Sequence, residues 1–268
     1  MVISIRSNST SSTTARQASD AQEAMKKSME RTATGLRINK AADDAAGLAI
    51  AAQMTAELNG LFQASRNARD AVSLVQTAEG GLSEIGGMVD RLRTLAIQSA
   101  SDVLGPQERQ AIQQEVNQLE DEIGRVVGTT AFNGRKLLDG SMTSARFQIG
   151  PQAGQEVSIA LDGVQVPNID LTSFDGASRA ITFLDTAVKA LHDQQATLGA
   201  TQNRLESTIR GLGAAADDVL ASRSRIQDAD VARESAERAR SEVLARSSIA
   251  ILAQANVIPG MAARLLGG

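Results

Sequence analysis

Residues 184–226 read "LDTAVKALHDQQATLGATQNRLESTIRGLGAAADDVLASRSRI". Alternate steps of four and three from Leu184 pass through Val188, Leu191, Gln195, Leu198, Gln202, Leu205, Ile209, Leu212, Ala216, Val219, Arg223 and Ile226. Ten of these thirteen positions are apolar. A 4-3 repeat keeps one face of an α-helix toward a neighbour along its whole length, so the stretch predicts a long, coiled-coil-like helix. The same spacing runs from Met54 through Leu58, Leu61, Ser65, Ala68, Val72 and Val75. It resumes one residue early at Ala78 and continues over Leu82, Ile85, Val89, Leu92 and Ala96. As one helix, residues 54–96 would extend ~65 Å, beyond the ~50 Å diameter of a compact globule of this chain length. The expected fold is mainly α, an elongated helical rod.

Shorter elements fit between and around these two. Gly105 is expected to stop the first helix, and Pro106 suits the opening turn of another, where its missing N–H costs nothing. Ile112, Val116, Leu119, Ile123 and Val126 then form a stripe that Gly128 is expected to end. Within about 130–176, "ARFQIG" and "EVSIAL" flank "PQAGQ" and alternate at period two, which predicts a small β-hairpin. Toward the termini the stripes are thin: Ala18, Ala21, Met25, Met29, Thr32 and Leu36 at one end, Ala229, Ala232, Ala236, Ala239 and Val243 at the other. Alanine gains little on burial beside the ~1.5–3 kcal/mol of a Leu or Val side chain, so such helices are marginal alone. Residues 247–266, "SSIAILAQANVIPGMAARLL", are apolar nearly all round and call for a partner to bury them. The glycines of "EGGLSEIGGM" (79–88) cost up to ~1 kcal/mol each in a helix, and tight packing is the expected reason for them.

Composition removes several classes of function. The 268 residues carry a net charge of −4, no Tyr, Trp or Cys, and five Phe. A nucleic-acid partner would want a basic face and stacking aromatics, and cysteine chemistry is excluded. The start, "MVISIRSNSTSSTTARQ", lacks the apolar core of a secretory signal, and no run reaches the ~18 apolar residues of a membrane span. The single histidine, His192, follows the stripe position Leu191 and should face solvent. No HExxH, GxSxG or phosphate-loop motif is present. Asp43 and Asp44, in "NKAADDAAGLAIAAQM" (39–54), stand side by side, and paired carboxylates invite a catalytic reading. On a helix, adjacent side chains point about 100° apart and do not share a proton or an ion. Just before an alanine run they suit a helix cap or a salt bridge instead. No catalytic, metal or cofactor site is expected.

Several longer segments resemble bacterial flagellin. They are "ERTATGLRINKAADDAAGLAIAAQM" (30–54), "RNARDAVSLVQTAEGGLSEI" (66–85), "RLRTLAIQSA" (91–100), "EVNQLEDEIGRVVGTTAFNGRKLLDG" (115–140) and "FQIG" (147–150). In the second half, "LGATQNRLEST" (198–208), "SRSRIQDADVARE" (222–234) and "ILAQANVIPG" (251–260) complete the set, in family order. With about 40 residues between Asp139 and Arg179, the chain resembles a minimal flagellin without variable outer domains. The resemblance implies paired terminal helices in an inner core domain (1–44 plus 228–268) and an outer shell domain (45–227). It implies polymerisation of the chain with itself into the flagellar filament, the hook–filament junction protein being the nearest alternative. It further implies cap and hook-associated partners, an export chaperone on the C-terminal segment, and release to the cell exterior through a type III channel rather than a Sec signal. Inter-subunit packing would then fall on Ala18, Met25, Met29, Leu36, Val243, Leu252, Ile258, Leu265 and Leu266, with Arg37, Asp43 and Asp44 setting register. Arg91, Leu95 and Glu115 match family positions read by an innate receptor, while Thr94 departs from the pattern.

Overall fold

A computed structural model describes residues 7–165 and 168–266, apart from the side chains of 258–259 and 262–266. Among the described residues five helices dominate: α1 (Ser9–Thr34), α2 (Ala45–Ser99), α3 (Pro106–Thr129), α4 (Phe174–Gln227) and α5 (Val231–Leu266). Two antiparallel hairpins sit between α3 and α4. One joins β1 (Ala131–Phe132) to β2 (Arg135–Lys136); the other joins β3 (Ser144–Gln148) to β4 (Glu156–Ala160). The chain divides into two compact units, Met1–Ala56 with Asp218–Gly268, and Glu57–Asp217.

The core of the second unit follows the heptad pattern. Leu184, Leu191, Leu198 and Leu205 recur every seven residues on α4 and are buried, as are Ala78, Leu82, Ile85, Val89 and Leu92 on α2. The α3 stripe contributes Ile112, Val116 and Ile123, with Val127 in place of Val126 at its end. Gly128 does not stop α3: the helix runs to Thr129 and is closed by Thr130, whose N–H donates to Val126 O. No partner at Gly128 forces a left-handed turn, so the chain passes it as an ordinary helical residue.

The β3–β4 hairpin pairs Phe147 with Val157 and Ala145 with Ile159, and its Val157, Ile159 and Ala145 enter the core. The smaller β1–β2 hairpin turns through Asn133 and Gly134, both at positive φ, the conformation an Asn-Gly turn favours. Its signal is present in the sequence as "FNGR". Beyond β4, the segment 168–172 is held to α3 by side chains rather than by a strand. Gln113 donates to Ile169 O (2.8 Å) and accepts from Leu171 N (2.7 Å), and Glu120 accepts from Ile169 N (2.7 Å). Ser99, buried at the end of α2, donates to Leu171 O. Where the hairpin excursion leaves and rejoins the helical layer, the backbones of Gly140 and Gly163 nearly touch. A Cβ on Gly163 would lie 2.7 Å from Gly140 Cα, and Val164 N donates to Leu138 O (2.8 Å).

The glycine-rich stretch of α2 divides. A Cβ on Gly81 would meet Leu138 Cδ1 and Thr130 Oγ1 at 2.8 Å, whereas Gly80, Gly86 and Gly87 have nothing within 4 Å. Tight packing within the chain therefore accounts for Gly81 and not for the other three.

Candidate assembly surface

Helices α1 and α5 lie antiparallel. Their register is fixed from both ends: Asn8 donates to Ala255 O (2.8 Å), Ser11 to Asn256 Oδ1 (2.8 Å), and Arg31 to Glu234 (3.1 Å). That register brings Ala18 and Ala21 level with Ser248 and Ala245. The buried seam is Thr14, Ala18, Ala21 and Ser28 on α1, against Ser241, Ala245, Ser248 and Ala255 on α5. Small side chains let the backbones approach, but each buried methyl contributes only ~0.8 kcal/mol.

The sequence stripe expected on α5 differs from the observed one. Ala232, Ala236, Ala239 and Val243 are exposed, Val243 by 62%, and the buried 4-3 series is 241, 245, 248 and 255, with Leu252 half-buried. Two of its members are serines, which hide the periodicity. On α1, Ser28 rather than Met29 enters the seam; Met29 is 49% exposed and Met25 half-buried. Outside the seam, α5 carries Val243, Leu244, Ile249, Ile251, Val257 and Met261 at half exposure or more. Of the other expected packing residues, Ala18 is taken up inside the chain, Leu36 is half-buried, and the side chains of Ile258, Leu265 and Leu266 lie outside the described residues.

Between the helices, residues 35–44 form a joint. Gly35 ends α1 at φ +71°, and its carbonyl accepts from Ala229 N (2.8 Å). Leu36 bridges Asp228, Arg37 N donates to Gln227 O (2.7 Å), and the Arg37 guanidinium donates to Ile226 O. Ile38 is buried beneath this clasp. Asp44 caps α2 by accepting from Gly47 N (2.8 Å). A Cβ on Gly47 would sit 2.5 Å from Asp44 Oδ2 and 2.7 Å from Ile38 Cδ1, so the cap and the buried isoleucine both need glycine there. Asp43, its side chain 5% exposed, faces α1 instead: it pairs with Lys27 (3.0 Å) and accepts from Asn39 N and Lys40 N. The Lys27 ammonium, helped by those two N–H groups, holds the Asp43 carboxyl below its ordinary range. The two aspartates thus act on different partners, and neither approaches the other's ligand set.

Arg91 grips Glu115 with two bonds of 2.8 and 2.6 Å at the surface, while Leu95 is buried in the core of its own unit. His192 is exposed, 3.4 Å from Gln195 Oε1. Among the described residues, no cluster of three or more His, Cys, Asp or Glu could hold a metal, and no helix is long and apolar enough to cross a membrane.

The α1–α5 seam is thus built of small side chains, and large apolar side chains of α5 stay exposed. Comparison with known proteins identifies the family. Residues 5–143 match the bacterial flagellin N-terminal helical region and 181–266 the C-terminal helical region. The flagellin of Halalkalibacterium halodurans is 42% identical over 247 residues, covering 90% of this chain and 91% of that one. The flagellar filament 33 kDa core protein of Treponema phagedenis is 38% identical over 253 residues, covering 87% and 88%. The crystal structure of Bacillus cereus flagellin aligns with a TM-score of 0.51 at 30% identity, over 55% of this chain and 88% of that one. The chain belongs to the bacterial flagellin family. It is a non-enzymatic, self-polymerising structural subunit of the flagellar filament, and its relatives do not favour the hook–filament junction alternative.

Proposed function

We propose that residues 1–44 and 228–268 form the inner, subunit-to-subunit core of the filament, and that 45–227 form its outer shell. The observation that carries this reading is the row of half-exposed apolar side chains on α5, from Val243 to Met261, beside a seam too thin to be the helix's only packing. Neighbouring copies supply the missing contacts, at Met29, Val243, Leu252, Ile258, Leu265 and Leu266, so ordering of the termini is coupled to polymerisation. Ala18, Met25 and Leu36 contribute from within by shaping the α1–α5 pair, and Arg37, Asp43 and Asp44 hold its register. The same C-terminal segment, uncovered before assembly, is the natural grip for an export chaperone. The same proposal includes passage through a type III channel to the exterior and contacts with cap and hook-associated proteins. Arg91 and Glu115 are the surface groups an innate receptor would touch, with Leu95 supporting them from below.

Deleting residues 249–268 tests the coupling. The truncated chain should be a soluble, partly helical monomer that seeded growth, followed by electron microscopy, fails to extend. Long regular filaments from that truncate would overturn the reading.

A further inference from the structure

The clasp between the terminal helices opens onto a cleft of about 650 Å³ walled by Lys27, Arg31, Arg37, Arg225, Arg233 and Glu234, among others. Three of its cations, Arg37, Arg225 and Arg233, form no ion pair among the described residues, against two of its carboxylates. Glu234 pairs with Arg31 and Glu237 with Arg240, whereas Asp228 accepts only from the Ser224 hydroxyl and Asp230 from the N–H groups of Ala232 and Arg233. Arg37 donates only to a backbone carbonyl, Arg225 only to Ser222, and Arg233 makes no side-chain bond among the described residues. In addition, Arg31 Nε is buried with no hydrogen-bond partner. A buried donor without an acceptor is costly, and guanidinium groups are matched to planar carboxylates.

The geometry points to this cleft as a socket for carboxylates of a second copy of the chain. A helical polymer is built from heterologous contacts, in which one surface of a copy meets a different surface of the next. The complementary surface is on α1 itself: Asp20 and Glu23, three residues apart on its exposed side, form no ion pair among the described residues. The inference rests on the terminal helices being the inter-subunit core. It adds that an ionic latch, besides apolar burial, joins successive copies.

The test compares full-length chains in seeded polymerisation, reading the critical concentration at low salt and at about 1 M, where the screening length falls to about 3 Å. Arg225→Gln with Arg233→Gln removes two charges that make no ion pair among the described residues, and unchanged helical circular dichroism confirms that the subunit folds. Its critical concentration should exceed wild type about tenfold at low salt, and the ratio should collapse toward one at high salt. Asp20→Asn with Glu23→Gln should reproduce both effects, and Arg225→Lys with Arg233→Lys should fall between. Wild-type behaviour of either neutralised variant at low salt overturns the latch, while leaving polymerisation through the terminal helices intact. Titration of the wild-type monomer with inorganic phosphate separates a free anion from a second copy. Saturable binding that persists in the filament would assign the cleft to the small ion and overturn the proposal; binding that is absent, or lost on assembly, supports it.

Discussion

Alanine at Gly81 and at Gly86 makes the same chemical change five residues apart on one helix, yet the two should act in opposite directions. In a helix interior, Gly→Ala contributes about 0.5–1 kcal/mol through reduced backbone freedom. At Gly86 nothing lies within 4 Å of the new methyl, so that gain should appear in full. At Gly81 the methyl would meet Leu138 Cδ1 and Thr130 Oγ1 at 2.8 Å. Leu138 is fully buried, and the Thr130 hydroxyl donates to Val126 O at the end of α3, so neither yields freely. Overpacking of this kind typically costs about 1–3 kcal/mol, and a displaced threonine hydrogen bond adds about 1 kcal/mol. The net effect at Gly81 is a loss of about 1–3 kcal/mol, setting the two variants about 2–4 kcal/mol apart. For a unit of this size that is a difference of about 5–15 °C in Tm. Thermal unfolding of monomers followed by circular dichroism at about 222 nm (the helix band of the peptide group) reads it directly. Equal melting of the two variants, or a more stable Gly81→Ala, would refute the account of α2 packing against Thr130 and Leu138.

Three further outcomes are expected. Asp44→Ala removes the α2 cap and should cost about 1 kcal/mol in urea unfolding, and combined with Asp43→Ala it should impair assembly or alter filament shape in electron micrographs. Because the Lys27 ammonium lowers the folded-state pKa of Asp43, its carboxylate stabilises above the ordinary carboxylate range, and that contribution is lost as pH falls through the lowered value. Asp43→Asn should therefore flatten the acid limb of an unfolding titration. Glu120 behaves with the opposite sign: burial raises its pKa, so stability is lost as pH rises through the raised value. Glu120→Gln, which can still accept from Ile169 N, should remove that loss; a steeper pH dependence in the variant would contradict the assignment.

How far the amino-acid sequence discloses the packing depends on which side chains carry it. On α4 the buried positions are leucines at 184, 191, 198 and 205, so the repeat is plain from hydropathy alone. On α5 the seam runs through Ser241 and Ser248, which read as polar, and the eye settles on alanines at 232, 236 and 239 that prove exposed. Serine is small enough to serve close helix approach, and hydropathy does not register size. The cap at Asp44 is legible because capping is local, involving only the next three residues. The pairing of Asp43 with Lys27 joins residues across the joint, and the grip of Gln113 and Glu120 on Ile169 and Leu171 spans about fifty residues. Such bonds leave no periodic trace. The arginine cleft is hidden for the same reason: Arg31 and Arg233 are ordinary surface residues until the fold sets them side by side.

The near-contact of Gly140 and Gly163 has a consequence for how such a chain can change. The hairpin excursion departs and returns at one point, with the ends tied by Val164 N and Leu138 O. The separation of those ends is therefore independent of how much polypeptide lies between them, and each doubling of a flexible loop costs only about 0.6 kcal/mol. Residues can be gained beyond that tether, away from the buried Ala145, Val157 and Ile159, without altering the distance between the tied ends. The decoration of the subunit is thus free to vary in mass while the scaffold beneath it stays dimensionally constant.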